Sequence, residues 1–189
     1  MKYIHDSGYI HLDIKPQNFF IGEKGVLKLG DFNLSRKRSK FDDDLFEGDS
    51  TYMAPEILEA TKIKNLDERC DIFSLGLSII EILFRIELPQ NGPLWREIRS
   101  EGFKLPNEFY QHSNISNIPD NFYKLIYGMI HFDPKKRFGI SYIFENFPEL
   151  KTRMENLNRI DYKNSYENFL VNKNDFNMMT PKKSRSKQN

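Results

Sequence analysis

Between Asp67 and Arg85 the chain carries a segment that is apolar on nearly every side, through Ile72, Phe73, Leu75, Leu77, Ile79, Ile80, Ile82, Leu83 and Phe84. A helix of this kind has no face to give to water, so it belongs in the middle of a domain with other elements wrapped round it. Asp67 is the candidate N-cap, with acidic Glu68 just inside. The most apolar stretch, Ile72 to Ile86, is broken by Glu81 and Arg85 and is too short to cross a bilayer. A further helix is expected over Asp120 to Ile130, ahead of the stop signal Asp133-Pro134.

The half of the chain before this helix reads differently, as short strands and loops. Asn18-Phe19-Phe20-Ile21 and Val26-Leu27-Lys28-Leu29 flank the turn Gly22-Glu23-Lys24-Gly25, the pattern of a two-stranded hairpin. The expected fold class is mainly α with one small β-hairpin.

His11-Leu12-Asp13-Ile14-Lys15-Pro16-Gln17-Asn18 runs directly into the first strand of that hairpin, and Asp31-Phe32-Asn33 follows the second. A hairpin brings its two ends together, so Asp13, Lys15, Asn18 and Asp31 are expected round one point. Two carboxylates, an amide oxygen and an ammonium can hold Mg²⁺ and a phosphate chain while leaving one carboxylate free. Phosphoryl transfer needs such a set, because it rests on positioning, neutralised charge and an acceptor for a hydroxyl proton.

In order and spacing this run resembles the catalytic loop and magnesium motif of eukaryotic-type protein kinases. The resemblance implies that Asp13 orients the substrate hydroxyl and accepts its proton. It implies that Lys15 stabilises charge on the γ-phosphate of ATP, and that Asn18 and Asp31 ligate Mg²⁺. Ala54-Pro55-Glu56 stands where that family closes its activation segment. Asp71, in Asp71-Ile72-Phe73-Ser74-Leu75-Gly76, resembles the residue that anchors the catalytic loop from below, and Arg137 resembles the buried ion-pair partner of Glu56. These last three are read as structural. Glu47-Gly48-Asp49-Ser50-Thr51-Tyr52-Met53 places Asp49 where most serine/threonine kinases have Thr. With His11 to Pro16 and Glu87-Leu88-Pro89-Gln90-Asn91-Gly92-Pro93-Leu94-Trp95, it resembles the Wee/Myt type of inhibitory cell-cycle kinase. That type implies a tyrosine, or a threonine, of a cyclin-dependent kinase as the acceptor. Trp95 is read as a core aromatic rather than a substrate contact. Two rivals stay open: a generic serine/threonine kinase, favoured by Lys15 two residues after Asp13, and an inactive kinase-like binding module.

Three departures from the family pattern carry their own expectations. No Gly-rich loop, strand lysine or partner glutamate occurs in the 189 residues, and residues 1–9 look like the end of a helix. The sequence therefore reads as a fragment holding the larger, C-terminal lobe at residues 1–150, with little activity on its own. Asn33 stands where the magnesium motif usually ends in Gly, and Asn tolerates left-handed backbone. Leu12 replaces the Arg that would pair with a phosphorylated loop, so activation by phosphorylation at Ser39, Ser50 or Thr51 is not expected. Asp49, which can only accept hydrogen bonds, is expected to repel Asp13 and pair with Lys15.

Composition closes off other classes. With 28 basic residues against 27 acidic ones, no field steers the chain to nucleic acid or an anionic membrane. Arg36-Lys37-Arg38-Ser39-Lys40 is followed by Asp42-Asp43-Asp44 and reads as a self-neutralising solvated loop. Cys70 is the only cysteine, which excludes an internal disulfide and fits a reducing compartment. Residues 151–189 turn polar, end in a basic run and are expected to form a disordered tail, with the protein in nucleus or cytoplasm.

Overall fold

The computed structural model describes residues 1–22, 26–38, 48–59, 66–111 and 118–152. The chain divides into two compact units, Met1–Ile143 and Phe144–Asn189. The first begins with helix α1 (Lys2–Asp6), strand β1 (Tyr9–Ile10), a 3₁₀ turn at Pro16–Asn18, and strands β2 (Phe19–Ile21), β3 (Leu27–Leu29) and β4 (Arg36–Lys37). Helices α2 (Pro55–Leu58), α3 (Arg69–Phe84), α4 (Gly92–Ile98), α5 (Asn107–Gln111) and α6 (Asp120–Met129) follow, and α7 (Ile140–Asn146) spans the division at Ile143.

The apolar segment is α3, and it is the centre of the unit. Ile72, Phe73, Leu77, Ile80 and Phe84 are all but sealed from solvent. Asp67, the expected N-cap, serves the first turn from one residue outside it. Its Oδ1 accepts the Arg69 N–H at 2.9 Å, although Glu68 and not Asp67 stands at the helix boundary. The helix ends where Arg85 turns left-handed (φ 53°) and the Ile86 N–H reaches back to the Glu81 carbonyl at 3.2 Å. Helix α6 packs along α3, and Gly76 is what lets it come close: a Cβ there would lie 2.6 Å from Ile130 Cγ2. The two buried serines of α3 are satisfied within the fold. Ser78 donates to the Ser74 carbonyl at 2.9 Å, and Ser74 to the Tyr52 carbonyl at 2.8 Å.

The expected hairpin forms as β2 and β3, antiparallel, with Phe19 opposite Leu29, Phe20 opposite Lys28 and Ile21 opposite Leu27. Phe20, Ile21 and Leu27 leave this hairpin with exposed apolar side chains. The expectation of one hairpin needs correction, because β1 and β4 form a second antiparallel ladder, Tyr9 with Lys37 and Ile10 with Arg36. Helix α1 accordingly stops at Asp6, and Gly8 takes φ 79° to turn the chain into β1. Part of the basic run is therefore strand, and Arg38 pairs with Glu68. Asp42-Asp43-Asp44 lies outside the described residues.

Of the second unit, residues 144–152 are described. Leu150 N–H donates to the Phe147 carbonyl at 3.0 Å, and Thr152 Oγ1 to the Pro148 carbonyl at 3.1 Å. The expected tail beyond residue 152 lies outside the described residues.

Candidate active site

The site is built from Asp71 upward. This residue lies in the first turn of α3 with 1% of its surface exposed. Its Oδ2 accepts from His5 Nε2 and from the His11 N–H, each at 2.8 Å. Its Oδ1 accepts from the Leu12 N–H at 2.8 Å. Three donors on one carboxylate offset the cost of burying its charge. They also hold Leu12 in the left-handed region (φ 68°), a conformation that costs a branched residue about 1–3 kcal/mol and persists only where its surroundings enforce it.

His11 comes next and is fully buried. Its Nδ1 accepts the Asp13 N–H at 3.3 Å, so its Nε2–H donates to the Gly30 carbonyl at 3.0 Å, and the pattern of partners assigns the tautomer. One imidazole thus ties the loop to the far end of the hairpin. Burial holds this imidazole below its ordinary pKa, and the negative charges of Asp71, Asp13 and Asp31 oppose that shift. The Phe32 ring lies against it at 4.8 Å.

Asp13 is held from both sides. Asn18 Nδ2 donates to its carbonyl at 2.7 Å and to its Oδ2 at 2.9 Å, and Lys15 Nζ lies 3.1 Å from its Oδ1. Pro16 starts the 3₁₀ turn that carries Asn18 back toward Asp13. The hairpin then delivers the fourth residue, because the Gly30 N–H donates to the Asn18 carbonyl at 2.9 Å and Asp31 follows Gly30. Asp31 is exposed, left-handed (φ 58°), and receives a long contact from the Asn33 N–H at 3.5 Å. Asp13, Lys15 and Asn18 are therefore in mutual contact, and Asp31 stands beside them through the hairpin end. Both donors of the Asn18 interactions come from its nitrogen, which leaves its amide oxygen to accept. An amide oxygen and a free carboxylate at one point are hard ligands that suit Mg²⁺ in company with phosphate oxygens and water. Among the described residues no cluster of three or more His, Cys, Asp or Glu could cage a metal by itself.

The model of the family described as "Protein kinase domain" matches residues 1–147. The chain belongs to the protein kinase family. Within this family its similarity runs to the Wee type. It is 48% identical over 101 residues to the mitosis inhibitor protein kinase SWE1 of Candida albicans, covering 53% of this chain and 8% of the relative. It is 42% identical over 142 residues to the membrane-associated tyrosine- and threonine-specific cdc2-inhibitory kinase of Drosophila melanogaster, covering 72% and 24%. It is 42% identical over 108 residues to the mitosis inhibitor protein kinase mik1 of Schizosaccharomyces pombe, covering 57% and 18%. The chain thus spans well under half the length of these relatives.

The chain also carries the two structural links read from its sequence. Arg137, with 2% of its surface exposed, makes a bidentate pair with Glu56 at 2.6 and 2.8 Å. It also donates to the carbonyls of His131, Arg69 and Phe132 and lies 4.9 Å over the Phe73 ring. Asp71 anchors the loop as described.

Two finer expectations are corrected. The Asp49 carboxylate does not pair with Lys15; its Oδ1 takes the Thr51 N–H at 3.0 Å inside its own turn, and Lys15 goes to Asp13. The nearest donor for Asp49 is two residues along the chain, which is the local competition that short acidic side chains favour. Asn33 does not carry the left-handed backbone either; Asp31 does.

Sequence reading missed two further residues. His11 carries no sequence signal beyond its place in the loop run, yet it links Asp13 to Gly30. Arg99 is the second. Its guanidinium is buried and donates to the main-chain carbonyls of Ser50, Thr51 and Met53, and burial lowers its pKa to about 10. The available signal was its position four residues after Trp95, on one face of α4 and its C-cap. Trp95 itself is half-buried and donates from Nε1 to the Ser50 carbonyl at 3.0 Å.

Proposed function

We propose that this chain carries the catalytic residues of an inhibitory cell-cycle protein kinase, which transfers the γ-phosphate of ATP to a tyrosine, or a threonine, of a cyclin-dependent kinase. The observation that carries the reading is the hold on Asp13: one carboxylate fixed by Asn18 and Lys15, on a loop pinned from below by Asp71. The acceptor is inferred from the relatives, two of which are named mitosis inhibitor kinases and one a tyrosine- and threonine-specific cdc2-inhibitory kinase.

In this reading the Asp13 carboxylate orients the acceptor hydroxyl and takes its proton as the oxygen bonds to the γ-phosphorus. The bond from that phosphorus to the bridging oxygen breaks, and ADP leaves. Lys15 neutralises charge that builds on the transferred group. The Asn18 amide oxygen and the Asp31 carboxylate would hold Mg²⁺, which when bound neutralises phosphate charge. Residues 1–150 are read as the larger, C-terminal lobe of the kinase domain, and the protein as one of nucleus or cytoplasm. No helix among the described residues is long and apolar enough to cross a membrane.

Steady-state transfer from ATP by the intact protein tests the reading. Asp13→Asn is expected to abolish transfer while leaving magnesium-dependent binding of a fluorescent ATP analogue in place. Undiminished transfer by Asp13→Asn contradicts it.

A further inference from the structure

The segment Ser50–Met53 is held by its carbonyls, all four of them. Arg99 Nη2 donates to the Ser50 carbonyl at 2.9 Å and to the Thr51 carbonyl at 2.8 Å. Arg99 Nε donates to the Met53 carbonyl at 3.0 Å, and Ser74 takes the Tyr52 carbonyl between them. The Trp95 indole adds a second donor to the Ser50 carbonyl, and its ring lies under the guanidinium at 4.2 Å. The fork is closed on the helix side, where Arg99 Nη1 donates to the Trp95 carbonyl at 3.0 Å.

This is an unusual use of a cation. Arg99 has 8% of its surface exposed, and among the described residues it makes no ion pair with a carboxylate. A guanidinium buried without a counter-charge is costly unless dipoles aimed at it replace the lost water. An apolar side chain would fill the space without that cost. What the planar fork supplies instead is a fixed direction for several carbonyls at once.

The same segment lies beside the loop that carries Asp13. A Cβ on Gly48 would come within 3.7 Å of the Leu12 carbonyl. The Tyr52 hydroxyl donates to Glu81 and has Gln17, which stands between Lys15 and Asn18, as a polar neighbour. The ledge therefore borders the loop that presents Asp13.

We infer that Arg99 and Trp95 are positioning residues for the polypeptide acceptor, acting by holding the Ser50–Met53 ledge in register with Asp13. The inference rests on the proposed kinase function. The proposed nucleotide side of the site, Asn18 and Asp31, is held by other means, through the 3₁₀ turn and the hairpin. Loosening the clasp therefore separates the two substrates: it weakens use of the acceptor and leaves ATP alone. Small misplacement of a reacting group is enough for a large rate loss.

The test is kinetic, on the intact protein with a cyclin-dependent kinase polypeptide as acceptor. Arg99→Lys keeps the charge and loses the fork; Trp95→Phe keeps the stacked ring and loses the indole donor. Arg99→Lys is expected to raise KM for the acceptor by roughly tenfold or more, the loss of at least one charge-assisted hydrogen bond. Trp95→Phe should raise it by about threefold, as for one neutral bond. KM for ATP and hydrolysis of ATP without acceptor should stay within about twofold of the unaltered protein, a split that a general loss of folded protein does not produce. If Arg99→Lys fails to fold, as read by thermal melting, Trp95→Phe carries the test. Unchanged acceptor KM in the folded variants, or acceptor and ATP effects moving in proportion, overturns the inference. If the unaltered protein transfers no phosphate to any polypeptide, the proposed function falls and this inference falls with it.

Discussion

One amide nitrogen of Asn18 holds Asp13 twice, at the main-chain carbonyl (2.7 Å) and at the carboxylate (2.9 Å). The proposed general base and the loop that presents it are thereby fixed by a residue whose amide oxygen is the proposed magnesium ligand. Asn18→Ala removes both functions. The expected result is a loss of about 100-fold or more in kcat, from one charge-assisted and one neutral hydrogen bond, with a raised magnesium requirement. A magnesium titration of the transfer rate reads both effects. A variant within a few-fold of the unaltered rate at every magnesium concentration contradicts the assignment.

The next two residues of interest share one turn and should respond oppositely. Asp31→Asn removes the formal charge proposed to face Mg²⁺ and should abolish transfer. Asn33→Gly should be tolerated within about threefold. Asn33 contributes its backbone N–H to Asp31, which glycine retains, and its own backbone is not left-handed; the added freedom costs roughly 0.5–1 kcal/mol. Loss of activity in folded Asn33→Gly contradicts this account of the turn.

Stability should hinge on the pair Arg137–Glu56. Glu56→Ala strands a guanidinium whose side chain is fully enclosed, and the expected cost is about 3–5 kcal/mol. Urea denaturation measures it. A loss below about 1 kcal/mol implies that the carbonyls of His131, Phe132 and Arg69 suffice for Arg137 alone.

Acid should loosen the loop through His11. Its folded pKa lies below the ordinary 6.5 because of burial, against the pull of Asp71, Asp13 and Asp31. Between that lowered value and 6.5 the unfolded chain binds more protons than the folded one, so this contribution is fully present above pH 6.5 and is lost as pH falls. Protonation of Nδ1 also removes the acceptor of the Asp13 N–H. His11→Gln can still donate to the Gly30 carbonyl but cannot titrate. Its stability should fall less steeply from pH 7.5 to 5 than that of the unaltered protein, as read by urea midpoints. Parallel slopes contradict the role.

What the sequence disclosed follows from which interactions are local. The hairpin, α3 and α6 are written in periodicity and turn residues, and the hairpin alone brings Asn18 and Asp31 near each other. The hold of Asp71 on the loop and the Arg137–Glu56 pair were legible through family resemblance, since their partners lie far apart in the chain. The ladder of β1 with β4 was not legible: two residues a side is too short for any period to register. The partner of Asp49 was not legible, because charge alone points to Lys15 while the local turn puts the Thr51 amide closer. Arg99 escaped because its partners are main-chain carbonyls, which every residue has and no sequence pattern marks.

The central claim, an inhibitory kinase acting through Asp13 on a cyclin-dependent kinase, meets its most direct test in the identity of the phosphorylated residue. The intact protein, labelled ATP, magnesium and a catalytically inactive cyclin-dependent kinase with its cyclin are incubated, and the labelled amino acid is identified. The account predicts label on tyrosine, with or without threonine, and none with Asp13→Asn. Label found mainly on serine, or label that persists in Asp13→Asn, contradicts it.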